Sequence, residues 1–275
     1  RRVMGVMNGT CNYILTEMQA RGADYAEVLE EAQRLGYAEA DPSFDVGGVD
    51  AAHKLALLAA LGFGTRVDFA GVQTEGIDRV TLTDIAHAED MGYRIKLLGV
   101  ASMSEAGLEQ RMTPCLVPVD SALGRLAGVT NAVVIEGDFV GATHYEGPGA
   151  GEGPTASAVM ADVLDIARGV IGPAFGAPAA SLTAAPRAAD AGAAAYYLRM
   201  SLHDAPGTLA KVAAALGEEG VSIRQMRQYD HEGGAAPAIF MTHPTSRAAL
   251  DGALGRLGGM KECLDQPMAL RVETV

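Results

Sequence analysis

The sequence predicts an α+β protein with two folded parts, and three observations lead to this fold class. Apolar residues at helical spacing dominate the beginning of the chain, whereas strand-like alternation starts at about Ile95. A stretch rich in Pro, Ala and Gly follows, with the composition of a linker, for which we expect the bounds 173–194. Alternation then restarts, so we expect a domain with a mixed sheet and helices over 1–172 and a ferredoxin-like βαββαβ domain over 195–275.

The elements of the first domain follow from periodicity and capping residues. One apolar stripe predicts the second helix, and Gly36 provides its C-cap. Thr83 is the expected N-cap of a short helix that ends at Gly92. The predicted helices lie at 13–18, 25–35, 50–61, 83–92, 121–126 and 155–168, and the predicted strands lie at 95–101, 108–117, 132–136 and 140–145.

The second domain begins with Leu198, Met200 and Leu202, which alternate with polar residues as in a half-buried strand. A turn at 203–207 leads into a helix whose apolar residues include Leu209 and Val212. Further strands are expected at 221–227, 238–242 and 268–272, and a second helix around 250–257. This order of elements is βαββαβ.

Composition excludes several classes of function. The 34 acids and 21 bases give a net charge of −13, and the absence of Trp also argues against a nucleic-acid partner. No apolar run reaches the roughly 18 residues of a membrane span. Cys11, Cys115 and Cys263 are far apart and lack metal-ligand spacing, so they indicate no metal site and a reducing, cytoplasmic location. Because the chain starts at Arg1 without an initiator Met, we expect it to be the latter part of a longer polypeptide or a chain whose start is missing.

The helix at 50–61 carries the clearest signal of a functional site. Asp50, Lys54, Leu57 and Leu61 share one face, and Ala and Leu fill the others, so we expect a helix that is buried nearly all round. Charges in such a helix are costly unless they are paired, and a lysine there can donate a proton to a developing alkoxide. The alternative is a surface ion pair of i,i+4 spacing that stabilises the helix by about 0.2–0.5 kcal/mol.

The loop before this helix contains Glu39, Asp41 and Asp45. Carboxylates close to a lysine can bind the ammonium group of an amino-acid ligand. The alternative is that these acids form an ordinary solvated surface, with Asp41 beginning a turn at Pro42.

The glycine cluster at 147–154 precedes the last helix of the first domain. Its match to a dinucleotide fingerprint is weak, because it includes Pro154 and no acid follows about 20 residues later. We expect instead a loop whose backbone approaches a cofactor held mainly by another domain.

Four segments resemble homoserine dehydrogenase. They are 7–15 (MNGTCNYIL), 36–42 (GYAEADP), 45–54 (DVGGVDAAHK) and the glycine run 147–151 followed by 154–158 (PTASA). The resemblance in kind and order extends from the first residues to about Arg168. It implies a catalytic and dimerisation region that takes part in the reversible reduction of L-aspartate 4-semialdehyde to L-homoserine, on the route to threonine and methionine.

The resemblance also implies roles for individual residues. Lys54 is the expected proton donor to the carbonyl oxygen, and Asp50 is its partner. The substrate pocket is expected to include Glu39, which binds the amino group, together with Asp45, Gly9, Thr10 and Tyr37. Gly149 and Gly151 are expected to contact NADP or NAD. The family's amino-terminal Rossmann domain is absent from these 275 residues, so we expect the chain alone neither to bind the cofactor tightly nor to turn over.

The segment 204–209 (DAPGTL) opens the βαββαβ unit and resembles an ACT domain. This resemblance implies that an amino-acid effector such as threonine binds near Asp204, Gly207 and Thr208, in a homodimer or homotetramer. A purely structural dimerisation module is the alternative for this part. For the whole chain, the alternatives are a non-catalytic amino-acid sensor and a different dehydrogenase with a related substrate domain.

Overall fold

A computed structural model describes residues 1–189, 192–229 and 235–274. The described residues form two compact units, the first from residues 1–114 and 119–189 and the second from residues 115–118, 192–229 and 235–274. Within the described ranges, no helix combines the length and the apolar character that crossing a bilayer requires.

Helices and a mixed sheet build the first unit. Its helices are α1 (Gly9–Arg21), α2 (Tyr25–Arg34), α3 (Ser43–Val46), α4 (Val49–Phe63), α5 (Leu82–Asp90) and α6 (Glu152–Ala167), with 3-10 turns at Phe69–Gly71 and Ala179–Ser181. Its strands are β1 (Arg2–Val6), β2 (Gln73–Thr74), β3 (Tyr93–Ser104), β4 (Gly107–Pro118), β5 (Thr130–Glu136) and β6 (Ala142–Pro148). The sequence had not identified β1 as a strand.

The strands of this unit follow the order β6-β5-β1-β3-β4, and β2 pairs with β4 in parallel. Strand β1 lies between two antiparallel neighbours, with Met4 opposite Val100 of β3 and Val134 of β5. Helices α1, α4 and α5 contact β3, so the core lies between these helices and the sheet. The end of β1 therefore delivers Met7 and Asn8 directly to the start of α1.

Two predicted elements of this unit were wrong for local reasons. Thr81, not Thr83, caps α5, because its hydroxyl accepts from the Asp84 N–H while the Asp84 carboxylate accepts from the Thr81 N–H. Residues 121–126 form turns rather than a helix, and the Ser121 hydroxyl accepts from the Gly124 N–H there.

The second unit has the predicted ferredoxin-like fold. Its elements are β7 (Tyr196–His203), α7 (Thr208–Glu218), β8 (Ile223–Gln228), β9 (Ala235–Thr242), α8 (Arg247–Gly258) and β10 (Met268–Val272). The strands follow the order β10-β7-β9-β8 with antiparallel pairing throughout. Alternate residues of β7, such as Leu198 and Met200, pack with Val212 of α7 and Leu250 of α8 in one buried cluster.

The domain bounds 1–172, 173–194 and 195–275 stay predictions. Of the predicted linker, Asp190 and Ala191 lie outside the described residues, as do residues 230–234 and Val275 of the predicted last domain. The described part of the linker includes the buried Leu182 and an isolated bridge between Thr183 and Thr65, both within the first unit.

Candidate active site

Helix α4 presents one buried face and one exposed face. Its buried residues are Ala51, Ala52, Leu55, Ala56, Ala59 and Ala60. On the face that carries Lys54, the lysine side chain is 48% exposed, and Leu57 and Leu61 are 50% and 52% exposed. The expectation of a helix buried nearly all round was therefore wrong, because α4 buries only the face that carries its alanines and Leu55. Lys54 lies at the rim of a cavity, where its ammonium keeps access to water.

The ammonium of Lys54 is held by two acceptors. Its Nζ lies 2.7 Å from Oδ2 of Asp50, one helical turn earlier, and donates to the carbonyl oxygen of Met7 at 3.2 Å. The i,i+4 spacing that the sequence showed thus brings the two charges into contact. The contact with Met7 ties the lysine to the end of β1 as well.

Asn8 links the acids of the site, and sequence reasoning did not select it. Its Oδ1 caps α1 by accepting from the Cys11 N–H, which leaves its amide nitrogen free to donate elsewhere. That nitrogen donates to Oδ1 of Asp45 at 2.8 Å and to Oδ2 of Asp50 at 3.0 Å. The available signal was an Asn directly before an apolar helix, because an Asn N-cap uses only one end of its amide.

These groups open onto a cavity of about 490 Å³, within the size range of about 300–1,000 Å³ for small-molecule sites. Its lining residues are Asn8, Gly9, Thr10, Leu35, Gly36, Tyr37, Asp45, Asp50, Lys54, Val129, Asn131, Gly149, Ala150 and Gly151. The structure thus brings together eight of the nine residues expected at the substrate and cofactor: Gly9, Thr10, Tyr37, Asp45, Asp50, Lys54, Gly149 and Gly151.

Glu39 is the residue that does not line the cavity. It is exposed, and its backbone carbonyl accepts from Gln33 Nε2 at 2.9 Å. Asp41 is also exposed, and hydrogen bonds from Ser43 lower the pKa of its carboxyl group. Of the three acids in this loop, only Asp45 lines the cavity.

The start of α1 is joined to the loop after α2. The hydroxyl of Thr10 donates to the carbonyl oxygen of Tyr37 at 2.6 Å. The ring of Tyr37 meets the ring of Tyr13 edge to face, with centroids 4.9 Å apart. Two separate segments of the sequence therefore form one wall of the cavity.

Two glycines permit close approach to the segment 129–131, whose Val129 and Asn131 also line the cavity. A Cβ on Gly9 would lie 2.8 Å from the carbonyl oxygen of Val129, and one on Gly149 would lie 1.7 Å from Nδ2 of Asn131. Oδ1 of Asn131 is buried and has no hydrogen-bond partner within the described residues. A buried polar atom without a partner is uncommon, and the residue that carries it lines the cavity.

Cys11 lies beneath the site but is not a nucleophile. Its thiol donates to the carbonyl oxygen of Asp45 at 3.3 Å. Burial raises the pKa of this thiol far above its ordinary value, and the charges of Asp45 and Asp50 raise it further. The thiolate, which is the reactive form, is therefore strongly disfavoured.

A second cavity, of about 560 Å³, lies in the second unit at the start of α7. It is lined by residues 202–210 and Gln228, and thus includes the predicted effector residues Asp204, Gly207 and Thr208. Gly207 adopts a left-handed conformation with φ of 87° directly before α7. The N–H groups of the first helical turn face this end of the helix and favour an anionic group there.

Comparison with known proteins agrees with both units. The profile of a family described as homoserine dehydrogenase matches residues 1–164, and that of the ACT domain matches residues 196–259. A homoserine dehydrogenase of Pseudomonas aeruginosa is 42% identical over 278 residues, covering 98% of this chain and 64% of the relative. The chain thus spans less than two thirds of this relative.

Solved structures give the same result. The structure of a homoserine dehydrogenase from Thiobacillus denitrificans matches with a TM-score of 0.91 and 41% identity, over 99% of this chain and 64% of that one. A hyperthermophilic archaeal homoserine dehydrogenase in complex with NADPH matches with a TM-score of 0.52 and 28% identity, over 62% of this chain and 48% of that one.

Proposed function

The chain belongs to the homoserine dehydrogenase family, and on this premise we propose that it forms the substrate-binding and proton-transfer part of an enzyme that interconverts L-aspartate 4-semialdehyde and L-homoserine. The single observation that carries the proposal is the convergence of Lys54, Asp50, Asn8 and Asp45 on one cavity. The reaction would serve the synthesis of threonine and methionine in the cytoplasm.

Lys54 acts as the proton donor in this proposal. Reduction of the aldehyde places negative charge on the carbonyl oxygen, and an ammonium at that oxygen both stabilises the charge and supplies the proton of the product alcohol. The lysine then regains a proton from water, to which its half-exposed side chain has access. Asp50 and the carbonyl of Met7 hold Nζ at the cavity rim, so the amine does not need to be oriented during the reaction.

Asp45 is the proposed ligand of the substrate's ammonium group. Its Oδ1 accepts from Asn8, and its remaining acceptor positions are available to a ligand in the cavity. Glu39 stays a proposal for the same group, because it lies two residues after Tyr37 and its exposed side chain has the rotational freedom to turn toward the cavity. Thr10 and Gly9 would bound the rest of the substrate.

The wall at 149–151 fits the approach of a nicotinamide cofactor, NADP or NAD. When bound, the cofactor supplies the hydride. Asn131, whose Oδ1 has no partner among the described residues, would be one of the contacts, and the glycine backbone presents no side chain at this wall. We propose that most of the cofactor contacts come from a nucleotide-binding domain outside these 275 residues, since the chain spans 64% of its Pseudomonas relative.

The test compares two forms of the protein: the 275-residue chain, and a nucleotide-competent form that carries a nucleotide-binding domain before Arg1. We expect L-aspartate 4-semialdehyde to drive NADPH or NADH oxidation by the nucleotide-competent form and not by the chain alone. Near-normal turnover by the chain alone would contradict the proposal that most of the cofactor contacts come from another domain. Failure of the folded nucleotide-competent form to oxidise either cofactor would contradict the proposed reaction.

We further propose that the ACT domain binds an amino-acid effector at the start of α7, with threonine as the first candidate. The cavity lined by Asp204, Gly207 and Thr208 supports this function over a purely structural one. The test of this effector site is calorimetric titration of the nucleotide-competent form with threonine. Thr208→Val is the paired variant. Heat of binding that Thr208→Val weakens supports an effector site, whereas a folded dimer or tetramer that gives no heat supports a structural module.

A further inference from the structure

Lys96 is a buried lysine that the proposed reaction does not use. It lies on β3 and is 3% exposed. Its ammonium donates to two uncharged acceptors, Oδ1 of Asn12 at 2.8 Å and the carbonyl oxygen of Leu126. An apolar side chain of similar length would fill this space without the cost of desolvating a charge, so the lysine needs a reason beyond packing.

Asn12 extends the contacts of Lys96 along the same stretch of backbone. Its amide nitrogen donates to the carbonyl oxygens of Gly128 at 2.9 Å and of Thr130 at 3.3 Å. Lys96 and Asn12 together therefore bind three carbonyl groups between residues 126 and 130. Buried carbonyl groups need partners, so these hydrogen bonds determine the path of this irregular segment.

The segment 126–131 also forms part of the cavity wall. Val129 and Asn131 line the cavity, and Gly9 at the start of α1 packs against the carbonyl of Val129. Asn131 in turn lies against Gly149, in the stretch 149–151 that we call the glycine wall. A shift of this segment would therefore change the space for the substrate and the position of the glycine wall together.

We propose that Lys96 is a positioning residue: through Asn12 and Leu126 it fixes the segment 126–131 at the place that substrate binding requires. This inference rests on the proposed function, since it concerns the same cavity. Lys96 does not line the cavity and takes no part in the proton transfer.

The kinetic test uses Lys96→Met in the nucleotide-competent form. Methionine keeps the length of the side chain but leaves Asn12 Oδ1 and the Leu126 carbonyl without their donor. We expect the KM for L-aspartate 4-semialdehyde to rise about tenfold or more, because even a small displacement of the wall weakens substrate binding. The change in kcat should be smaller.

The matched control is Arg111→Met on β4. Arg111 is also buried, at 4% exposed, but its Nε donates to Glu109 at 2.7 Å, and neither residue lines this cavity. Only Lys96→Met should change KM.

A second measurement is independent of activity and of the proposed reaction. Hydrogen exchange of the amides in 126–131 should be faster in Lys96→Met, and also in Asn12→Ala, than in wild type and Arg111→Met. If Lys96→Met does not fold, Asn12→Ala tests the same network, since it releases Gly128 and Thr130 and removes one of the two acceptors of Lys96. Unchanged KM and unchanged exchange in the folded variants would overturn the positioning role. A wild-type protein without turnover would contradict the proposed function instead, and the exchange data would still decide the role of Lys96.

Discussion

The amide nitrogen of Asn8 and the ammonium of Lys54 donate to the same atom, Oδ2 of Asp50, at 3.0 and 2.7 Å. Asn8 also binds Asp45, so one uncharged side chain separates two carboxylates while keeping both within reach of a common ligand. This arrangement divides the acids by task. In the proposed reaction, Asp50 would orient the proton donor, and Asp45 would keep acceptor positions for the substrate.

Replacing Lys54 should remove the proton donor without disturbing the fold. Because the side chain is half exposed and lies on the outer face of α4, Lys54→Met should leave Tm nearly unchanged. We expect kcat of the nucleotide-competent form to fall about 10²- to 10⁴-fold, the usual contribution of a general acid. The matched control is Arg247→Met, which breaks an exposed i,i+4 pair with Asp251 on α8. A Lys54→Met variant with wild-type kcat would refute the assignment of the proton donor.

Replacing Asn8 separates its capping role from its role in the site. Asn8→Ser keeps a good N-cap for α1 but cannot reach both acids, so stability should stay close to wild type while KM for the substrate rises. Asn8→Ala loses the cap as well, and its free energy of unfolding should fall by about 1 kcal/mol. Urea unfolding and steady-state kinetics on both variants check this. Equal kinetics for Asn8→Ser and wild type would show that Asn8 is a helix cap only.

Local patterns predicted the part of the site that is close in sequence. Asp50 and Lys54 are one helical turn apart, and a pair at this spacing meets whatever the tertiary structure. The same reasoning misjudged the environment of α4, because Ala-rich helices pack closely through one face and leave the large Leu57 and Leu61 outside. Which face of a helix is buried depends on its neighbours, and periodicity alone cannot supply them.

The contacts that sequence reasoning missed are distant along the chain. Asn8 meets Asp45 across 37 positions, and Lys96 meets Asn12 across 84. No local propensity encodes such pairs. The Lys96 pair results from β1 and β3 lying side by side, with α1 following β1, and the Asn8 pair results from α3 packing against α1. The resemblance to a family identified the pocket residues, but it carried no information about the lysine behind the pocket wall.

Lys96 should also give the protein a characteristic dependence of stability on pH. Burial, and to a lesser extent the charge of Arg94, lower the pKa of Lys96 from 10.5 to about 8 in the folded protein. Below pH 8 the lysine is charged in both states, and the full cost of burying the charge is present. Between pH 8 and 10.5 the unfolded chain binds more protons at this group, so the free energy of unfolding rises with pH. The total gain from this group is about 3 kcal/mol.

Urea unfolding of wild type and Lys96→Met between pH 7 and 10.5 measures this gain. Other titrating groups contribute to both curves, so the relevant quantity is the difference between them. We expect wild type to gain stability relative to Lys96→Met as the pH rises above 8. Parallel curves would show that Lys96 titrates at its ordinary pKa and is accessible to water.

Gly149 should be required for cofactor use because a side chain there has no space. A Cβ at Gly149 would lie 1.7 Å from Nδ2 of Asn131, so Gly149→Ala must displace either the glycine wall or Asn131. We expect the KM for NADPH to rise about tenfold or more, since both elements line the cavity. The matched control is Gly153→Ala, four residues later on α6, where no atom lies within 4 Å of an added Cβ. The KM of Gly153→Ala should stay within about twofold of wild type.

A double variant tests whether the clash is the cause. Asn131→Ala combined with Gly149→Ala removes the displaced amide, so its loss of cofactor binding free energy should be smaller than the sum of the losses in the two single variants. Fully additive losses would mean that Gly149 acts through another contact.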